Sequence, residues 1–102
     1  MLTRFQVILA ELLDLHNQKG KDYDHPQEQY ANVRAGEDFG IPAWVGAMVR
    51  ANDKMRRIQK VAQGGVLANE SIIDSFNDLA IYVIIARILY EESYMQSMDG
   101  EG

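Results

Sequence analysis

The sequence predicts an all-α fold, a bundle of three main helices that is completed by oligomerisation. Three long segments repeat apolar residues every three or four positions, which is the period of an amphipathic helix. The chain of 102 residues suffices for a single domain, residues 1–102, around one modest core. Nearly half of the residues are apolar and a quarter are charged, as in ordinary globular proteins and unlike disordered ones.

The first helix is predicted over residues 2–18, and a long polar connection follows it. The apolar residues of this helix recur at helical spacing: Phe5, Ile8, Leu12 and Leu15. Residues 19–41 then contain Gly20, Pro26, Gly36 and Gly40. Connections of this length in compact domains are usually either functional or disordered, so we expect residues 19–41 to be a functional loop.

The second helix is predicted over residues 42–63. Pro42 suits a first helical turn, where its missing N–H would have no partner anyway, and the Gly64-Gly65 pair is typical of a C-terminal cap. Three cations follow one side of this helix at spacings of four and three, and we call them the basic stripe: Arg50, Lys54 and Arg57.

The third helix is predicted over residues 69–95, with Asn69 as its N-cap and residues 96–102 as a frayed tail. Between Leu79 and Tyr90 this helix is apolar on nearly every side. Two other helices cannot cover such a surface completely. We therefore expect a second copy to supply the missing cover, in a homodimer or a larger homo-oligomer.

Composition restricts the class of protein. The absence of cysteine excludes a disulfide scaffold and a thiolate metal site, and favours a reducing compartment. A net charge of −5 argues against a protein that coats long nucleic acid, which needs a basic surface. The chain opens without a signal-peptide pattern, and its most apolar stretch is shorter than the roughly 20 residues of a membrane span. We expect a soluble, cytoplasmic protein without a membrane partner.

The candidate catalytic residues are the acids Glu70, Asp74 and Asp78. On one continuous helix they lie within an arc of about 80°, at the edge of the apolar face. Carboxylates in such a position repel one another and lose hydration, so they need a compensating cation. A divalent metal ion with oxygen ligands would serve, and so would the basic stripe.

Purely structural interpretations remain open for these residues. Glu70 lies in the first turn, where the helix dipole favours any acid, and Asp74 fits an ordinary solvated position. Asp78 favours a function more strongly, because apolar residues follow it and aspartate is a poor mid-helix residue. The basic stripe and Asp53 are equally typical of a salt-bridge network, since an arginine fork suits a carboxylate as well as a phosphate.

Three groups of residues resemble a known family when they are taken together. They are Lys21-Asp22-Tyr23, then Arg50-x-x-Asp53-Lys54-x-x-Arg57, and then Asn69-Glu70-Ser71-x-x-Asp74-x-x-x-Asp78-Leu79-Ala80-x-Tyr82. This set resembles a phage-rich family of small helical proteins that is grouped with the MazG-like, all-α nucleotide pyrophosphohydrolases. The resemblance spans about residues 10 to 92. In the family the first motif helix carries two glutamates one turn apart, whereas here only Asp53 has the chemistry of a ligand.

The resemblance implies a metal-dependent nucleoside triphosphate pyrophosphohydrolase or nucleotide-binding protein of phage type, acting in the host cytoplasm if it is phage-encoded. In MazG-like enzymes, acids on two helices hold magnesium ions that bind the triphosphate and activate a water molecule. The implied ligands of Mg²⁺ (or Mn²⁺) are Asp53, Glu70, Asp74 and Asp78. The implied nucleotide- and phosphate-binding residues are Lys21, Tyr23, Arg50, Lys54 and Arg57.

The incomplete first motif keeps two other hypotheses open. One is a non-catalytic, oligomeric sponge that sequesters a nucleotide signal, which needs the basic stripe but no complete metal site. The other is a purely structural oligomer in which acids and bases neutralise each other.

Overall fold

The computed structural model describes residues 1–21, 30–68 and 70–101, with the side chains of residues 1–19, 30–68 and 70–95. The elements are α1 (Arg4–Lys21), α2 (Ala31–Arg34), a 3-10 helix (Ala35–Phe39), α3 (Ala43–Ala62) and α4 (Ile72–Glu101). No strand occurs in these ranges, and the predicted all-α class is confirmed. Where one domain is expected, the chain divides into two compact units, Met1–Ala31 and Asn32–Gly102.

The first unit contains α1, which begins at Arg4 because a capping box precedes it. The hydroxyl of Thr3 accepts a hydrogen bond from the backbone N–H of Gln6 at 3.1 Å, and the Gln6 side chain accepts one from the Thr3 N–H at 2.8 Å. This reciprocal pair satisfies two backbone donors that a helix leaves without partners. The helix continues to Lys21, three residues past its predicted end.

Part of the predicted functional loop is helical, since α2 and the 3-10 helix occupy residues 31–39. Residues 22–29 of that loop lie outside the described residues. Val33 of α2 is buried, and its carbonyl oxygen lies against Gly46 of α3, where an added Cβ would stand only 2.1 Å from it. The absence of a side chain at Gly46 is therefore what permits the close approach of α2 to α3.

Helices α3 and α4 form the core of the second unit. The buried apolar residues of the pair are Ala47, Ala51, Ile81, Ile85, Ala86 and Leu89. Small residues on α3 allow the larger side chains of α4 to pack closely, and Trp44 adds an edge-to-face contact with Tyr90 at a ring separation of 5.4 Å. The helix α3 ends in the pattern that a glycine pair predicts: Gly64 has a φ of 89°, and the Gly65 N–H donates to the Lys60 carbonyl.

The helix α4 begins at Ile72 and extends to Glu101, so it starts later and ends later than the predicted helix over residues 69–95. Its start follows from a second capping box. The Ser71 hydroxyl accepts a 3.0 Å hydrogen bond from the Asp74 N–H, and the Asp74 carboxylate accepts one from the Ser71 N–H at 3.3 Å. The predicted N-cap, Asn69, lies outside the described residues.

The side of α4 that faces away from α3 is also apolar. Its large apolar residues are 37% (Ile88) to 62% (Met95) exposed, and they are Ile73, Phe76, Val83, Ile84, Ile88, Tyr94 and Met95. Across the described ranges, no helix combines the length and the apolar character that a membrane crossing requires.

Candidate functional site

The candidate site lies in the second unit, where the start of α4 and the segment before it approach α3. The ammonium group of Lys54 is 3.3 Å from the Glu70 carboxylate and 2.9 Å from the Asp78 carboxylate. The side chains are 12%, 19% and 17% exposed, respectively. Two acids thus converge on one cation that is largely removed from water.

Glu70 has two further partners. Its Oε2 atom is ion-paired with Nη1 of Arg57, whose side chain is 44% exposed at the edge of the site. Its Oε1 atom accepts a 2.6 Å hydrogen bond from the hydroxyl of Ser75, a residue with no exposed surface. We call these five residues the ion-pair cluster: Lys54, Arg57, Glu70, Ser75 and Asp78.

The hydrogen bond from Ser75 is the largest influence on the protonation of Glu70. It lowers the pKa of the Glu70 carboxyl below its ordinary value, and Lys54 and Arg57 lower the pKa further, against the opposing effect of burial. Glu70 is therefore held as a carboxylate, the form that both cations need. Ser75 is not among the site residues predicted from the sequence, although it precedes Asp78 by three positions and so lies on the same side of α4.

The three predicted acids do not share one helix face. Because α4 begins at Ile72, Glu70 precedes the helix and reaches Lys54 from the connecting segment. Asp74 is exposed, and its carboxylate is directed to the backbone of Ser71 in the capping box. The arc of about 80° assumed a continuous helix from residue 69, and the capping box is the physical reason that the helix starts later.

The basic stripe divides between two environments. Lys54 and Arg57 belong to the ion-pair cluster, whereas the guanidinium of Arg50 lies 5.9 Å from the centre of the Tyr82 ring. A hydrogen bond with Tyr82 raises the pKa of Arg50, and the charge of Asp53 adds a smaller contribution in the same direction. Asp53 itself is exposed on α3.

Two predicted nucleotide-binding residues, Lys21 and Tyr23, precede the second unit in the chain. Lys21 is the last residue of α1, in the first unit, and Tyr23 falls among residues 22–29, outside the described residues. The structure therefore brings together four of the predicted charged residues, namely Lys54, Arg57, Glu70 and Asp78.

A cavity of about 200 Å³ adjoins Arg57, and Leu67, Ala68 and Glu70 complete its lining. Pockets that enclose drug-sized molecules usually measure roughly 300–1,000 Å³. This cavity is therefore suited to a small polar group, such as the phosphate end of a larger ligand, rather than to a complete nucleotide.

In the part of the chain that the structure describes, the implied magnesium ligands are not gathered around one position. Magnesium requires several oxygen ligands in octahedral geometry. Among the residues whose placement is described, no three His, Cys, Asp or Glu side chains are grouped so as to hold a metal ion. Glu70 and Asp78 share the Lys54 ammonium, which occupies the position between the two carboxylates, and Asp74 is turned to the helix cap.

Comparison with protein-family models, curated proteins and solved structures finds no match to this chain. The MazG-like resemblance therefore stays a prediction that depends on the three groups of residues that carry it.

Proposed function

We propose that this chain is a nucleotide-binding protein of the MazG-like kind that recognises the phosphates of a nucleoside di- or triphosphate through Arg57 and Lys54. The observation that carries the proposal is the position of Arg57, which is partly exposed and lines the small cavity. A guanidinium has five N–H donors in a planar fork, and the ion pair with Glu70 uses Nη1. Donors are left for a phosphate that enters the cavity.

Binding of a phosphate at Arg57 is an exchange of partners. The formal charges of Lys54, Arg57, Glu70 and Asp78 sum to zero, so the four groups together do not attract an anion. A phosphate therefore gains a cationic partner by displacing the Glu70 carboxylate from Arg57. Glu70 keeps the Lys54 ion pair and the Ser75 hydrogen bond after that exchange. The exposure of Arg57 also means that salt weakens the interaction.

Calorimetry with a non-hydrolysable nucleoside triphosphate tests the proposal. Arg57→Ala should weaken binding by about 1.5 to 3 kcal/mol, the loss expected for a charge-assisted hydrogen bond. Arg56→Ala is the matched control, because Arg56 is an exposed arginine on the same helix and lies outside the ion-pair cluster. Unchanged affinity in Arg57→Ala, or an equal loss in both variants, contradicts the phosphate role.

The same variants test the purely structural hypothesis. If Arg57 only neutralises Glu70, Arg57→Ala lowers stability without any selective loss of nucleotide affinity. Thermal unfolding of Arg57→Ala and Arg56→Ala without ligand therefore measures the change in stability separately from the change in affinity.

The second candidate is the metal-dependent nucleoside triphosphate pyrophosphohydrolase. The convergence of Glu70 and Asp78 on one cation position favours it. Use of Mg²⁺ or Mn²⁺ there requires Lys54 to leave that position and Asp53 and Asp74 to turn towards it. Incubation with a nucleotide panel and magnesium, followed by mass spectrometry, separates the candidates: pyrophosphate and a monophosphate indicate the enzyme, and intact retained nucleotide indicates the sponge.

The proposal includes self-association and a cytoplasmic setting, that of a host cell if the chain is phage-encoded. The exposed apolar side chains on the outer side of α4 support self-association, because exposed apolar surface of this kind is typical of interaction sites. Light scattering at micromolar concentration that reports a single 11.6 kDa chain contradicts this part.

A further inference from the structure

The outer side of α4 carries a regular seam. Ile84, Arg87, Glu91 and Tyr94 follow one another at spacings of three, four and three, within an arc of about 80°. This arc is opposite Ile85 and the other residues that are buried against α3. Residues at spacings of three and four lie next to one another on the same face of a helix. We call these four residues the outer seam.

The outer seam is complementary to its own reversed copy, since reversal matches apolar residues with apolar residues and each charge with an opposite charge. Reversal about position 89 exchanges Ile84 with Tyr94 and Arg87 with Glu91. The flanking exposed residues follow the same rule: Val83 exchanges with Met95, and Ile88 with Tyr90, whose partly exposed ring also contacts Trp44. A surface that is complementary to its own reversed copy is what a two-fold symmetric dimer requires.

From this symmetry we infer that two copies of the chain pair in antiparallel orientation through the outer seams of α4, with the two-fold axis at position 89. Apolar residues then meet apolar residues on both sides of the axis. The exposed ion pair within one chain, Arg87 to Glu91 at 2.9 Å, becomes half of a network of four alternating charges. This inference rests on the self-association included in the proposed function and is independent of nucleotide binding.

Arg87 and Glu91 determine the register in which the two α4 helices pair. Moving the axis to between positions 85 and 86 sets Arg87 against the partner's Ile84 and Glu91 against the partner's Ala80. Both charges then lose water without gaining a partner of opposite sign, which is unfavourable. The axis at position 89 is the antiparallel register that gives each charge an opposite charge, and charge complementarity of this kind fixes the register of helix pairs.

The first test exchanges the charges. Arg87→Glu and Glu91→Arg each create two like-charge contacts in the proposed dimer, and each should weaken self-association by about tenfold or more. An equimolar mixture of the two variants should recover association, because every contact between unlike chains is then attractive. Arg56→Glu is the matched control for Arg87→Glu, since both lower the net charge by the same amount and Arg56 lies on α3. The side chains of Arg87 and Glu91 are exposed, so circular dichroism should show unchanged folding in their variants.

Sedimentation equilibrium gives the masses that decide this test. Recovery in the mixture alone, with a mass near twice the 11.6 kDa of one chain, supports the inference. Single variants that associate as tightly as the parent, or a mixture that fails to recover, overturn it. A parent protein that stays at 11.6 kDa overturns self-association itself and the inference with it.

The second test determines the relative orientation of the two α4 helices by disulfide formation. The chain has no native cysteine, so only the introduced cysteines can react. An oxidised mixture of Ile84→Cys and Tyr94→Cys chains should form a cross-linked dimer of unlike chains. Neither variant alone should cross-link efficiently, because ten residues separate like positions by about 15 Å along the helix. Efficient cross-linking of each variant with itself indicates a parallel pair, and no cross-linking in a dimeric protein indicates another interface; either result overturns the inference.

Discussion

The buried hydroxyl of Ser75 donates a 2.6 Å hydrogen bond to Oε1 of Glu70, while Oε2 of the same carboxylate faces the cations of α3. One carboxylate is thus divided between two helices. Ser75 holds it from α4, and Lys54 and Arg57 hold it from α3. Glu70 therefore fastens the segment that precedes α4 to both helices, and it lines the small cavity together with Arg57.

The first prediction concerns the pKa of Glu70. Ser75→Ala should raise this pKa towards its ordinary value of 4.5, since the largest cause of its lowering is removed. Carboxyl chemical shifts followed by NMR as a function of pH measure the change. Ser93→Ala is the matched control, because the Ser93 hydroxyl donates to a backbone carbonyl on the exposed side of α4. An unchanged Glu70 pKa in Ser75→Ala contradicts the role assigned to the hydroxyl.

The direction of the Glu70 shift also predicts how stability depends on pH. A carboxyl whose pKa is lower in the folded state stabilises the fold fully above the unfolded pKa. This contribution is lost as pH falls from about 4.5 through the lower folded pKa. Urea unfolding between pH 7 and pH 3 should therefore show a smaller acid-induced loss for Ser75→Ala than for the parent. An equal or larger loss contradicts the expectation.

The third prediction concerns Lys54, the shared partner of Glu70 and Asp78. Lys54→Met keeps the length of the side chain but leaves two largely buried carboxylates near each other, at a cost of about 2 to 4 kcal/mol. Replacing Asp78 by Asn in the same chain should recover part of that loss, because one of the two charges is then absent. Urea unfolding of the parent, both single variants and the double variant measures the coupling. Strict additivity of the losses contradicts a shared ion pair.

The end of a helix can be predicted from the sequence where one local signal, such as a proline or a glycine pair, marks it. The sequence predicts the second helix over residues 42–63 and α3 spans Ala43–Ala62, because proline and a glycine pair delimit it. The start of α4 was missed because Ser71 and Asp74 cap each other, a local alternative that competes with a cap at residue 69. The burial of Val33 was not predictable, since it depends on the distant residue Gly46.

The candidate site shows the same division between local and distant causes. That acids near residue 70 need cations, and that the basic stripe can supply them, follows from charge and burial alone. Which cation meets which acid does not follow, because Arg50 finds the Tyr82 ring in the folded chain instead. The separate role of Asp74 likewise depends on a helix boundary that periodicity does not resolve.

The fourth prediction concerns the close approach at Gly46. Replacing a helical glycine by alanine usually stabilises a helix by about 1 kcal/mol. Gly46→Ala should instead destabilise the protein by about 1 to 3 kcal/mol, because the new Cβ meets the Val33 carbonyl oxygen and must push α2 away. Thermal unfolding gives the sign directly. A raised melting temperature in Gly46→Ala contradicts the packing of α2 on α3.

The last prediction separates the capping role of Asp74 from a role in metal binding. Ser71→Ala removes the cap and should cost about 0.5 to 2 kcal/mol, whereas Asp74→Asn keeps an acceptor oxygen and should cost less. If Asp74 also binds a metal, Mg²⁺ or Mn²⁺ raises the melting temperature of the parent and of Ser71→Ala but not of Asp74→Asn. Melting curves with each metal and with a chelator measure both effects. A parent that does not respond to either metal leaves Asp74 with its capping role, and a response that survives in Asp74→Asn removes Asp74 from the implied ligand set.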